Sequence, residues 1–239
     1  MARKHRTQQV LELIPTLLPE GRVLDAGTGQ GHVAHGLVAM GYEVEAFDID
    51  PSACQHPDLP VAQGDILGGL PYDDGRFDLV VANEVIEHME NPFRATREFH
   101  RVLRPGGLLL LTTPNYGNIE KRLHYLAAGT LPRPLEHEAT EPAPGRAHGH
   151  IAPLSLNRLH YLLETNGFDV EQVATANPKR KIWLLAPLVG AIWLYVHLFW
   201  SRRRREAYHI GEQMRVILGG RSLVVVARTR APRSPAAPH

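Results

Sequence analysis

The chain has almost no cysteine and almost no net charge. Cys54 is the single cysteine in 239 residues, so an intramolecular disulfide is excluded, and with it the small secreted, disulfide-stapled class. The 26 Lys and Arg against 25 Asp and Glu leave a formal charge of +1, which gives no general reason to expect a nucleic acid as partner. No internal repeat is seen, and the basic start, Met1 to Arg6, running into residues interrupted by Glu12 and Pro15, reads as a poor signal peptide. Cytoplasmic residence is the default expectation. What the chain does have is a 44 % apolar content, close to the globular norm and incompatible with a disordered or collagen-like chain.

The apolar residues are arranged in two ways. Val10, Leu13, Ile14, Leu17 and Leu18 recur at i, i+3, i+4, i+7 and i+8, which predicts an amphipathic helix over residues 1–20, weakened at Pro15. From Gly21 on, short apolar runs alternate with helical patterns. Strands are predicted at Arg22–Asp25, Tyr42–Phe47, Leu59–Gln63, Phe77–Ala82 and Leu108–Leu111, then at Phe168–Val173 and Leu223–Ala227. Helices fall at Val33–Met40, Pro92–Leu103 and Leu154–Asn166, with Pro105-Gly106-Gly107 stopping the second. Such βα alternation implies a doubly wound α/β domain with a largely parallel sheet, over residues 21–178 and 219–230. Residues 116–153, rich in Pro, Gly, His and Glu, read as a lid or substrate insertion. Composition from Arg228 onward marks a disordered tail, 231–239 forming its separate last segment.

Asp25-Ala26-Gly27-Thr28-Gly29-Gln30-Gly31 joins the first strand to a helix. Glycines let the chain turn tightly and let a ligand approach the backbone, and the helix start behind them offers free N–H groups. The spacing departs from the dinucleotide fingerprint: His32 stands where its third glycine belongs, and Gly31 comes one place early. Asp25, two residues before Gly27, would repel a pyrophosphate but suit a cationic amino group. Asp48, ending the second strand 21 residues after Gly27, can accept two hydrogen bonds from a ribose diol. Asp65 sets a third carboxylate at the same edge. Together these describe a nucleoside without phosphates that carries a positive tail. A structural glycine turn and a nicotinamide oxidoreductase are the competing readings.

With Phe77 to His88 and Leu103-Arg104-Pro105-Gly106-Gly107, these segments resemble the successive motifs of class I S-adenosylmethionine-dependent methyltransferases, and among them the branch of ubiquinone-biosynthesis O-methyltransferases. The resemblance covers about Val23 to Ala174 and a last strand near Leu223. It implies a Rossmann-like seven-stranded sheet whose antiparallel last strand inserts beside the fifth. It also implies Gly27, Thr28, Gly29 and Gly31 under the methionine moiety, Asp48 and Ile49 at the ribose, Asp65 and Ile66 near the adenine, and Asp25 and Asn83 lining the same site.

Glu84, Glu87 and His88 stand at i, i+3 and i+4, one face of a helical turn after the fourth strand. His88 could act as general base; the three could hold a divalent ion; or they could only brace the pocket. His148-Gly149-His150 follows the polar insertion, and His150 is a candidate for contact with the acceptor, since the end of the fifth strand, Thr113 to Tyr116, should face it. Cys54 has no neighbour in sequence that suggests nucleophilic chemistry.

Residues 179–218 are a different material. Ile182 to Trp200 contains no Asp, Glu, Lys or Arg, while Lys179-Arg180-Lys181 precede it and Arg202 to Arg205 follow it. A continuous helix there would be roughly 28 Å long, near a bilayer's apolar thickness. Cations at both ends oppose a single span, and the strands on either side must join one sheet, so an odd number of crossings is excluded. The reading is peripheral contact with an anionic inner membrane face and a lipophilic or lipid-linked acceptor. The alternatives are a soluble methyltransferase with this segment as homodimer interface, or a non-catalytic adaptor.

Overall fold

The computed structural model describes residues 2–131, 149–176 and 184–230. A seven-stranded sheet in the order β3-β2-β1-β4-β5-β7-β6 is built from β1 (Arg22–Ala26), β2 (Glu43–Asp48), β3 (Val61–Gln63), β4 (Phe77–Asn83), β5 (Leu103–Pro114), β6 (Phe168–Ala176) and β7 (Ser222–Thr229). Pairings from β3 across to β5 are parallel, and β7 runs antiparallel to both of its neighbours. The expected Rossmann-like fold and reversed last strand are both present.

The strands are apolar on both faces because helices cover both. Leu24, Val80, Leu109, Leu111 and Val225 pack under α3 (Pro92–Val102) and α5 (Leu156–Thr165). Their alternating neighbours Val23, Leu79, Val81, Leu110 and Val226 pack under α1 (Ala2–Leu17) and α2 (His32–Ala39). This is period-2 alternation with neither side solvated. In α1 the predicted apolar stripe is used: Val10 and Ile14 are fully buried, with Leu13, Leu17 and Leu18 packed beside them. Pro15 does not interrupt it.

Two expectations are corrected. Pro105-Gly106-Gly107 does not separate a helix from a strand; β5 already begins at Leu103, which pairs with Phe77, and the register shifts before Leu108 meets Leu79. The glycines therefore absorb a bulge inside one strand. Arg228 to Arg230 are not tail: Thr229 is buried in β7, Arg228 pairs with Glu171 and donates to Gly106 O, and Arg230 pairs with Asp169. The tail at 231–239 lies outside the described residues.

The described part of the apolar segment forms one helix, α6 (Ala186–Phe199), which ends at Trp200 where the apolar run ends; a break at Ser201 separates it from α7 (Arg202–Ala207) and α8 (Ile210–Ile217). At ~1.5 Å per residue α6 is about 21 Å long, short of a ~30 Å hydrocarbon core. Among the described residues no helix is long and apolar enough to cross a membrane. The break follows from chemistry: Ser201 accepts from Arg204 N and caps a new helix of four arginines. Ile119, at the start of α4 (Ile119–Ala128), Val189 of α6 and Ile217 of α8 form a small core of their own.

Candidate active site

Strand order reverses between β1, whose successors run outward to β2 and β3, and β4 on its other side. The crevice at the carboxyl ends of β1 and β4 is the place where such sheets bind ligands. A cavity of about 490 Å³ lies there, lined by Asp25, Gly27, Thr28, Gly29, Asn83 and Glu84 among others. Its size suits a small-molecule cofactor.

The loop is held in shape by backbone and carboxylates. Gly27 N and Thr28 N both donate to Phe47 O, at 2.8 and 3.1 Å. Gly27, Gly29 and Gly31 have φ of 80°, 51° and 81°, the left-handed region. A Cβ on Gly27 would stand 2.5 Å from Val85 Cγ2, so Gly27→Ala combines left-handed strain with a clash. It is expected to destabilise the fold by about 2 kcal/mol or more, read as a lowered midpoint in urea; an unchanged midpoint would show that the loop relaxes freely. Gly29 has nothing within 4 Å of its Cβ direction, so there the loop leaves space for a ligand against its backbone.

Two acids with different duties flank this loop. Asp48 Oδ2 accepts from Gly29 N at 2.7 Å and Oδ1 from Asp50 N at 2.9 Å, so it ties the glycine loop to the end of β2. A carboxylate has about four acceptor sites, which leaves capacity for hydroxyls. Asp25 is 1 % exposed and accepts from Thr28 Oγ1 at 2.6 Å and Ala34 N at 3.1 Å. Burial, reinforced by the neighbouring Asp48 charge and opposed by those two hydrogen bonds, pushes its pKa up to about 6. A buried carboxylate that resists ionisation in a polar cavity is a site suited to a cation.

Of the residues expected here, Asp25, Gly27, Thr28, Gly29, Asn83 and Glu84 form the cavity wall, whereas Gly31, Asp48, Ile49, Asp65 and Ile66 are not part of it. Asp65 is exposed and its carboxylate accepts from Leu67 N at 2.8 Å, capping a single 3₁₀ turn, with Ile66 buried beneath. Sequence reasoning missed Thr7 on α1, together with His32, Val33 and Ala53, whereas Gln30 lies within the glycine loop already expected at the cofactor. Thr7 stands well before the glycine loop in sequence and belongs to no motif.

The expected face of Glu84, Glu87 and His88 is not formed. Glu84 has φ 58°, so it leaves β4 in a left-handed bend before the 3₁₀ turn Ile86–His88 begins. Thr112 fixes the bend: Glu84 N donates to its carbonyl and its Oγ1, at 3.1 and 3.0 Å, while Oγ1 donates to Asn83 Oδ1 at 2.7 Å. Glu84 therefore faces the cavity, and the group that assembles is Glu87, His88 and His150, whose ligand atoms lie within 4.8 Å of one another. His88 Nδ1 is 2.9 Å from Gly149 O, and His150 Nδ1 is 2.6 Å from the Tyr116 hydroxyl. The loop before α5 thus brings His150 to the ends of β4 and β5. A metal ion, if held here, would find its ligands in Glu87, His88 and His150 and not in Glu84. His148 lies outside the described residues.

A second group, His160, Glu164 and His209, also clusters. Its two rings are stacked at 3.9 Å and 8°, which makes their in-plane lone pairs parallel instead of convergent. His160 Nε2 is 2.7 Å from Glu212 Oε2, so this group braces α5 against α8.

The methyltransferase-domain family model matches residues 2–173. A probable S-adenosylmethionine-dependent methyltransferase of Mycolicibacterium smegmatis is 32 % identical over 155 residues, covering 62 % of this chain and 52 % of that one. The malonyl-[acyl-carrier protein] O-methyltransferase of Pseudescherichia vulneris is 32 % identical over 150 residues, covering 60 % and 54 %. The chain spans about half the length of these two curated relatives. In fold it is similar to a SAM-dependent methyltransferase from Archaeoglobus fulgidus, with TM-score 0.59 and 17 % identity over 95 % of this chain and 96 % of that one. With the family model spanning most of its length, from the first helix to the sixth strand, the chain belongs to the methyltransferase-domain family of S-adenosylmethionine-dependent enzymes.

Proposed function

We propose that this protein transfers a methyl group from S-adenosylmethionine to a hydroxyl or similar nucleophile of a lipophilic or lipid-linked small molecule. The observation that carries the donor half is Asp25: a buried carboxylate with raised pKa, set in the wall of the cavity beside three left-handed glycines. It would take the cationic amino group, and Asp48 the ribose hydroxyls. When bound, the cofactor supplies an electrophilic methyl on a sulfonium, so the protein's tasks are to position the acceptor and remove its proton.

His88 is suited to the second task. Gly149 O can only accept, so His88 Nδ1 carries the proton of that bond, and Nε2 is the basic nitrogen of the neutral ring. Tyr116 and His150 extend the same polar group toward the end of β5. The run from Glu84 to His88 supports the ubiquinone-biosynthesis branch, and the carrier-linked acyl substrate named for the Pseudescherichia relative is compatible with a lipophilic acceptor. On this reading the enzyme works at the cytoplasmic face of a membrane.

The test is mass spectrometry of a membrane lipid extract incubated with protein and methyl-labelled cofactor. A product heavier by one labelled methyl is expected, with turnover lowered about 10²–10⁴-fold in His88→Ala and S-adenosylhomocysteine affinity unchanged. Label found only in water-soluble acceptors would overturn the lipophilic assignment. Full turnover in His88→Ala would remove His88 from the chemistry.

A further inference from the structure

The helix α6 has no charged side chain, yet only Val189 and Val196 are buried, a seam seven residues apart that meets Ile119 and Ile217. The opposite side carries Leu188, Leu194, Tyr195, Leu198 and Phe199, which are 42–72 % exposed. At ~100° per residue these five lie within an arc of about 140°, so they form one apolar face and not scattered exceptions. Contiguous apolar surface of this kind marks an interaction site. Immediately after it, α7 begins with four arginines, Arg202 to Arg205, and no acid in its first turn. Arg202 pairs with Glu206 at 2.8 Å, and Arg204 lies 4.0 Å over the Trp200 ring.

We infer that α6 and α7 dock in the plane of an anionic phospholipid bilayer, with the apolar face of α6 at the acyl boundary and the α7 arginines among the headgroups. Charge complementarity selects this occupant. A second copy brought to the same face would offer four more arginines and, within α7, the single acid Glu206, which is already paired with Arg202, whereas an anionic surface supplies opposite charge to the whole row. Each arginine within a Debye length strengthens such binding about fivefold. Geometry agrees with lying flat: α6 is too short to span, and β6 before it and β7 after it are paired in one sheet. Trp200 and Tyr208, in edge contact at 5.6 Å, have the amphipathic rings favoured at the headgroup level. Docking here is independent of what the methyl acceptor is.

The protein reports on the segment itself, since all three tryptophans, Trp183, Trp193 and Trp200, belong to it. The full chain is mixed with vesicles of phosphatidylcholine alone and of phosphatidylcholine with phosphatidylglycerol, and co-sedimentation and tryptophan emission are measured. Binding at least tenfold stronger to the anionic vesicles is expected, with a blue-shifted emission and loss of the preference at high salt. Arg203→Ala with Arg205→Ala should weaken it about 25-fold, and Leu198→Gln with Phe199→Gln by tenfold or more. All variants should bind S-adenosylhomocysteine like the parent, which shows that the fold is intact. Absence of binding to anionic vesicles, or binding equal in parent and variants, would overturn the inference. So would a dimer without vesicle affinity that dissociates on Leu198→Gln with Phe199→Gln, because the occupant would then be a second copy.

Discussion

Replacing Asp48 by alanine is expected to weaken S-adenosylhomocysteine binding by roughly 10²–10³-fold while leaving the sheet folded. Two losses combine. In the free protein Asp48 is the clasp between Gly29 N and Asp50 N, and charge-assisted bonds of this kind are worth about 1.5–3 kcal/mol each. In the complex the same carboxylate would also accept from the ribose hydroxyls. Losing the equivalent of one to two such bonds, about 3–4 kcal/mol in all, gives the stated range. Asp48→Asn keeps the shape but loses the charge and one acceptor, so a loss nearer tenfold is expected. Calorimetry checks both, and equal affinity of parent and Asp48→Ala would remove the residue from the site.

Cofactor affinity is also expected to depend on pH through Asp25. The unfolded carboxyl ionises near 3.8 and the folded one near 6. A cationic group in the cavity binds the ionised form, so affinity should fall about tenfold per unit as pH drops well below 6, with about half a proton released on binding at pH 6 and close to one at lower pH. Stability moves the opposite way from that of a paired surface acid. Because the folded state holds its proton more tightly, the free protein loses stability as pH rises from 3.8 to about 6, up to about 3 kcal/mol, and the penalty is complete above 6. Asp25→Asn should therefore unfold at higher temperature than the parent at pH 8, lose that advantage below pH 4, and bind the cofactor poorly throughout. Parallel pH profiles for parent and variant would contradict this account of the burial.

Much of this architecture could be read from residue patterns, for physical reasons. Strands such as Phe77–Asn83 and Leu108–Leu111 are apolar on both faces only where helices cover both, so the patterns already implied a buried, largely parallel sheet. Asp25 and Asp48 were legible because each stands at the end of a strand beside the glycine loop, Asp48 as its last residue and Asp25 one before. What escaped was set by contacts distant in sequence. Thr7 reaches the cavity because Val10 and Ile14 pack α1 onto the sheet. Glu84 turns away from Glu87 because Thr112, 28 residues later, holds its backbone in a left-handed bend. Asp65 is drawn into a local cap by Leu67 N. The apolar segment was recognised as distinct, and its helix stops at Trp200, where the apolar run ends and Ser201 caps a new helix.

The central claim is that this glycine loop, with Asp25 and Asp48 beside it, takes a cationic nucleoside and not a dinucleotide. Calorimetry at pH 8 with S-adenosylhomocysteine and with NADH tests it directly. One-site binding of S-adenosylhomocysteine, largely lost in Asp48→Ala, with no heat from NADH, is the predicted result; NADH binding without S-adenosylhomocysteine binding would contradict it.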